Sequence, residues 1–163
     1  MTPYTSIRVS GKLNVRFIPK HYILYAEDDP DDQLFFKEMM DMLCPEITVI
    51  FCCQGLELFQ FLSKLKTGDY LPSCIVLDMN MPKWDGMRTL KEIRKHACFN
   101  DLKIVIFTTS ASKTDSQNAI QAGAHAFITK PFDYKNSEEI MVRFIDLFQE
   151  QTRKLERSST DIR

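Results

Sequence analysis

Five short apolar runs rich in β-branched and aromatic residues recur along the chain: Tyr22–Ala26, Thr48–Cys52, Cys74–Leu77, Lys103–Thr108 and Ala126–Thr129. Each has the length of a strand and is bounded by polar or turn residues. Between them, apolar residues return with helical spacing. Leu34, Phe35, Met39, Met42 and Leu43 mark a first stripe, and Leu58, Phe61, Leu62 and Leu65 a second. Met87, Leu90 and Ile93 are the apolar part of a third stripe that continues to Arg94. Ala119, Ile120 and Ala122 form a short fourth. Ile140, Met141, Phe144, Ile145, Leu147 and Phe148 form a long fifth, more in keeping with core than with an interface.

This alternation predicts a parallel sheet covered by helices on both faces. Continuous apolar strands such as Ile104–Phe107 fit burial on both sides. Right-handed crossovers leave an open, doubly wound α/β sheet, with its site at the C-terminal strand ends. Turn chemistry agrees. Gly68-Asp69 and Pro72 separate the second helix from the third strand, and Asp85-Gly86 precedes the third helix. Gly123 stands where the fourth helix stops, a position that favours left-handed backbone. Asn136-Ser137-Glu138-Glu139 reads as a cap with acids in the first turn of the last helix. Residues 1–20 show no periodicity and read as a flexible extension. Residues 21–150 form the domain, and residues 151–163 a polar tail that prolongs the last helix and frays.

Composition narrows the class. A chain of 163 residues, 44% hydrophobic and 26% charged, suits one globular domain rather than a disordered segment. Lys and Arg number 21 against 22 Asp and Glu, so the net charge of −1 leaves no footprint for a nucleic-acid partner. No apolar run approaches the roughly 20 residues that span a bilayer. Residues 1–20 lack the apolar segment of a secretory signal. The five cysteines are odd in number and form no CxxC pair, which reads as buried, reduced thiols in a cytoplasmic protein.

The informative polar residues stand at strand ends. Glu27-Asp28-Asp29 follow the first strand and Asp78 the third. Thr108-Thr109-Ser110 close the fourth, and Lys130-Pro131 follow the fifth. Singly, each has an ordinary reading: solvated loop acids, a capping aspartate, a strand-forming threonine, a surface lysine. Jointly, four of five strand ends converge on one crevice. Crowded carboxylates repel one another unless a cation is present, and hard oxygen ligands favour Mg²⁺ (or Mn²⁺). A carboxylate beside such a cation, a lysine and a hydroxyl is what acyl-phosphate chemistry requires. Asp78 could attack phosphorus, Lys130 could neutralise charge on the phosphoryl oxygens, and Thr108 could hydrogen-bond one of them.

These residues resemble the response-regulator receiver domain of two-component signalling, of the single-domain chemotaxis-regulator type. The likeness runs from about His21 to Gln149. It is carried by Glu27-Asp28-Asp29-Pro30, by Asp78-Met79-Asn80-Met81-Pro82 with Asp85-Gly86, by Thr108-Thr109-Ser110, by Ala122-Gly123-Ala124, and by Phe127 with Lys130-Pro131-Phe132. The resemblance implies a flavodoxin-like five-stranded parallel sheet in the order 2-1-3-4-5 with five helices. It implies Asp78 as phosphoacceptor, Asp28 as a direct ligand of Mg²⁺, Glu27 as an assisting one, and Asn80 as a backbone-carbonyl ligand. Lys130 would pair with the phosphoryl group, while Pro82 and Gly86 would shape the loop after Asp78. Thr108 takes the switch hydroxyl position and Phe127 the aromatic one. Thr108 stands 22 residues before Lys130, and a one-residue loop shift would select Thr109 instead.

The implied partners are a histidine kinase or histidine phosphotransfer protein and a downstream protein target. The coupled surface is that of the fourth helix, fifth strand and fifth helix, which could also serve a homodimer. Too few residues follow Gln149 for a helix-turn-helix output module, so a stand-alone receiver is expected, not a turnover enzyme. Two alternatives remain: a receiver-like binding module that is never phosphorylated, and a haloacid-dehalogenase-type phosphatase. The latter needs a second aspartate where this chain has Asn80, and carries its nucleophile after the first strand.

Overall fold

In the computed structural model, residues 7–9, 18–132, 137, 139–140 and 142–149 are described. The elements run β1 Ile7–Val9, β2 Tyr22–Ala26, α1 Pro30–Leu43, β3 Thr48–Cys52, α2 Gly55–Lys64, β4 Cys74–Leu77 and α3 Gly86–Arg94. A 3₁₀ turn, Ala97–Phe99, leads to β5 Ile104–Thr108, α4 Lys113–Gln121 and β6 Ala126–Thr129. Residues 142–149 are helical and are labelled α5; residues 137, 139 and 140 are helical as well. Asn136 and Glu138 of the expected cap, and residues 151–163, lie outside the described residues.

The sheet is parallel throughout, in the order β1-β3-β2-β4-β5-β6. The five expected strands therefore take the flavodoxin-like order. The sheet also gains a sixth strand from a stretch read as a featureless extension. Ile7, Arg8 and Val9 pair with Ile50, Phe51 and Cys52. Three residues are too few for a period-two pattern to register, and the partner is distant in sequence.

Side chains alternate across each strand and divide the core in two. Tyr22, Leu24 and Ala26 face α2, α3 and α4, packing with Leu58, Phe61, Leu90, Ile93 and Ala119. Ile23 and Tyr25 face α1 and α5, packing with Phe36, Met39, Met40, Phe144 and Phe148. Phe144 and Phe148 are thus core, as expected. Burying a side chain of this size stabilises the fold by roughly 1.5–3 kcal/mol.

α1 departs from the expected stripe. Its buried residues are Gln33, Phe36, Met39 and Met40, whereas Leu34 is 55% and Met42 63% exposed. The N-terminus sets this phase: Asp29 caps the helix by accepting from the Asp31 amide, Pro30 begins the first turn, and Gln33 Nε2 donates to the Glu27 carbonyl at 2.5 Å. Arg94, which ends the α3 stripe, donates from its guanidinium to the carbonyls of Gly123, Phe99 and Leu102. It thereby ties α3 to the end of α4. There Gly123 takes the left-handed φ of 99° expected of it. α4 buries Ala119 alone, and Ile120 is exposed.

Cys44, Cys52 and Cys74 are free and buried; Cys53 is half-buried and Cys98 exposed, so the buried-thiol expectation fails at Cys98. Among the described residues, no helix is long and apolar enough to cross a membrane.

Candidate functional site

Glu27, Asp78 and Lys130 each follow the last residue of a strand, and the sheet still holds their amides. The Glu27 amide donates to the Cys52 carbonyl, Asp78 to Ala26, and Lys130 to Thr108, all within 3.0 Å. Backbone pairing thus extends one residue past each strand and fixes where the side chains emerge. All three are buried, as is Thr108 at the end of β5.

Lys130 is the centre of charge. Its Nζ lies 2.6 Å from Glu27 Oε2, 2.6 Å from Asp32 Oδ2 and 3.3 Å from Asp78 Oδ1. It also lies 5.9 Å from the Phe107 ring centroid. Glu27 is held on both oxygens: Oε2 also accepts from the Tyr25 hydroxyl at 2.8 Å, and Oε1 from the Asp29 amide at 3.1 Å. Asp78 Oδ2 accepts from the Asn80 amide at 2.8 Å. Glu27, Asp28 and Asp78 bring ligand oxygens within 4.8 Å of one another, and Asp28 is exposed at the mouth.

The electrostatics follow from this crowding. Burial pushes the Glu27 carboxyl above its ordinary range, with Lys130 and Tyr25 partly offsetting the rise and Asp78 adding to it. Burial lowers the Lys130 ammonium, but Glu27, Asp32 and Asp78 more than reverse this, and its net shift is upward. Tyr25 is raised well above the usual phenol, by burial first and then by Glu27. One ammonium does not neutralise this many carboxylates. The donor set is entirely hard oxygen, which fits a small divalent cation.

The loop after β4 is shaped around Asp78. A Cβ on Gly86 would fall 2.3 Å from the Asp78 carbonyl oxygen, so glycine is required for that approach. Lys83 adopts a left-handed φ of 63°, a costly conformation for a residue with a side chain. Asp85 caps α3 by accepting from the Arg88 amide. On the opposite side, Thr108 Oγ1 accepts from the Ser110 amide at 3.3 Å, and Ser110 Oγ donates to Asp115 in the first turn of α4. Thr109, the runner-up hydroxyl, is exposed. Phe127 is partly buried against the core on the α2–α4 side.

The structure therefore brings Glu27, Asp28, Asp78 and Lys130 together. Asn80 contributes its amide to Asp78, with its side chain outward. Sequence reasoning missed Asp32 and Tyr25. Tyr25 left a trace, a phenol two positions before Glu27 and so on the same side of the chain. Asp32 left only the acidic first turn after Pro30.

A family model described as the response regulator receiver domain matches residues 23–142. The sensor histidine kinase CheAY of Helicobacter pylori is 33% identical over 135 residues, which are 82% of this chain and 16% of that protein. Response regulator Rcp1 of Synechocystis is 28% identical, over 82% of this chain and 92% of its own length. The chain thus spans a small part of the kinase but nearly all of Rcp1. The Mn²⁺-bound form of Rcp1 superposes with a TM-score of 0.64 at 27% identity, covering 82% of this chain and 89% of that one. A CheY-like receiver protein from Methanospirillum hungatei gives 0.66 at 20% identity, covering 83% and 99%, and bears on the fold alone. With the family model spanning most of the sheet and every strand end that lines the acidic crevice, the chain belongs to the response regulator receiver family.

Proposed function

We propose that Asp78 accepts a phosphoryl group from the phosphohistidine of a histidine kinase or phosphotransfer protein. The observation that carries this reading is the placement of Asp78 3.3 Å from Lys130 and within 4.8 Å of Glu27 and Asp28. In the transfer, an Asp78 carboxylate oxygen attacks phosphorus in line and forms the new P–O bond. The P–N bond to the donor breaks, and the imidazole nitrogen keeps the electron pair. Lys130 is placed to stabilise charge on the phosphoryl oxygens. Asp28, Asp78, Glu27 and the Asn80 carbonyl would hold Mg²⁺ (or Mn²⁺), which supplies further neutralisation of phosphoryl charge. The Mn²⁺-bound Rcp1 structure supports a divalent cation here.

The new group carries close to two negative charges and shifts the population between two arrangements. Thr108, fully buried at the crevice, suits the switch hydroxyl better than exposed Thr109. Phe127 is the aromatic partner in this switch. The output is a protein contact on the α4–β6–α5 face, where Ile120 and Val142 are exposed, for a target protein or a second copy. The free thiols favour a cytoplasmic setting.

Incubation with Mg²⁺ and acetyl phosphate, followed by intact mass, tests the proposal. A gain of one phosphoryl group is expected, and Asp78→Asn should abolish it. No adduct in the wild type would point to a binding module that works without phosphorylation.

A further inference from the structure

An ammonium has three N–H donors: Lys130 Nζ donates to Glu27 and Asp32 at 2.6 Å, and Asp78 lies 3.3 Å away as a third ion-pair partner. Two of these acids, Glu27 and Asp78, also belong to the trio whose oxygens lie close enough to share a cation; Asp32 does not. Asp32 stands in the first turn of α1, where the Asp29 cap and Pro30 fix the backbone. Its side chain is 39% exposed, against 8% for Lys130. The contact spans 98 residues of sequence and joins the start of α1 to the end of β6.

We propose that Asp32 is a positioning residue for phosphoryl acceptance: together with Glu27 it fixes two N–H groups of Lys130, so that the third stays directed at Asp78. The inference rests on Asp78 being the phosphoacceptor. Its physical basis is the lysine side chain itself, a point charge on a flexible four-carbon stem whose donors rotate freely unless held. A cation among Glu27, Asp28 and Asp78 would compete for Glu27 and repel the ammonium. Asp32 lies outside that trio and retains its hold. Lys130 then keeps its place while charge at the crevice changes.

The test uses the full chain and beryllofluoride as phosphoryl mimic, at saturating Mg²⁺, with the fluorescence of half-buried Trp84 as signal. Asp32→Ala should bind beryllofluoride about tenfold more weakly, the loss of one charge-assisted hydrogen bond. Asp32→Asn, which keeps an acceptor oxygen, should lose less. In a Lys130→Ala background, Asp32→Ala should have no further effect, because the two act through one contact. In metal-free protein, the Lys130 ammonium signal in ¹⁵N NMR should lose its protection from exchange in Asp32→Ala. Unchanged or tighter beryllofluoride binding in Asp32→Ala overturns the inference, as does an equal loss without Lys130. A wild type that ignores beryllofluoride overturns the phosphoacceptor reading and this inference with it. A responsive wild type with an unaltered variant overturns the inference alone.

Discussion

Changing Asp78 to asparagine removes one negative charge from the crevice at almost constant shape, and the sign of its effect depends on whether the site is built for a cation. The lost attraction is to Lys130 at 3.3 Å, about 5 kcal/mol at an effective dielectric of ~20. The relieved repulsions are from Glu27 and Asp28, each about 3.5 kcal/mol before solvent screening at a separation of 4.8 Å. Solvent screens exposed Asp28, so its contribution is the smaller of the two. Repulsion and attraction nearly cancel. What remains is the cost of burying an ionised carboxylate, several kcal/mol per ion, part of which asparagine recovers. Asparagine also keeps an oxygen for the Asn80 amide. Asp78→Asn should therefore stabilise the metal-free protein by about 1–2 kcal/mol, a rise of roughly 3–6 °C in Tm for a domain of this size. Mg²⁺ should reverse the order: at 100 times Kd the wild type gains about 2.7 kcal/mol by mass action, and the variant, with a poorer site, gains less. Urea unfolding with and without Mg²⁺ measures both. A variant less stable than wild type without the cation, or equally stabilised by it, would refute the electrostatic account.

Other expectations follow from the same geometry. Gly86→Ala should cost about 2 kcal/mol or more in urea unfolding, because its Cβ would overlap the Asp78 carbonyl; a neutral effect would mean the loop yields freely. Thr108→Ala should uncouple phosphorylation from target binding more severely than Thr109→Ala, as buried against exposed hydroxyls predict; the reverse ranking in a binding assay would reassign the switch. In native protein, Cys98 should react rapidly with a thiol reagent, while Cys52 and Cys74, raised by burial (Cys74 to about 12), stay silent; early labelling of either by mass spectrometry would contradict the packing. For pH, the raised Glu27 carboxyl binds its proton more tightly in the folded state. Its contribution is complete below the ordinary value of 4.5 and is lost as pH rises through the folded value. Metal-free wild type should thus lose stability relative to Glu27→Gln as pH rises above the ordinary carboxylate value of 4.5, and a relative gain would refute the burial.

The order of strands and helices was legible in the sequence because hydrophobic periodicity reports a local fact, which residues face water and which face core. Tyr22–Ala26 and Cys74–Leu77 announce themselves in that way. That Glu27, Asp78 and Lys130 come together was legible because a parallel sheet delivers its C-terminal strand ends to one side, so position along each strand sufficed. Tertiary structure decided the rest. Periodicity proposed Leu34 and Met42 for the inner face of α1, and the Asp29 cap with Gln33 turned Phe36 inward instead. β1 is three residues, paired along the edge of β3. Arg94 sits on an apolar stripe because the carbonyls of Phe99, Leu102 and, 29 residues away, Gly123 await it. Asp32 meets Lys130 across 98 residues, and no local pattern encodes that meeting. A chain can advertise burial at each position, but ion pairs between elements exist only once the crossovers have brought their ends together.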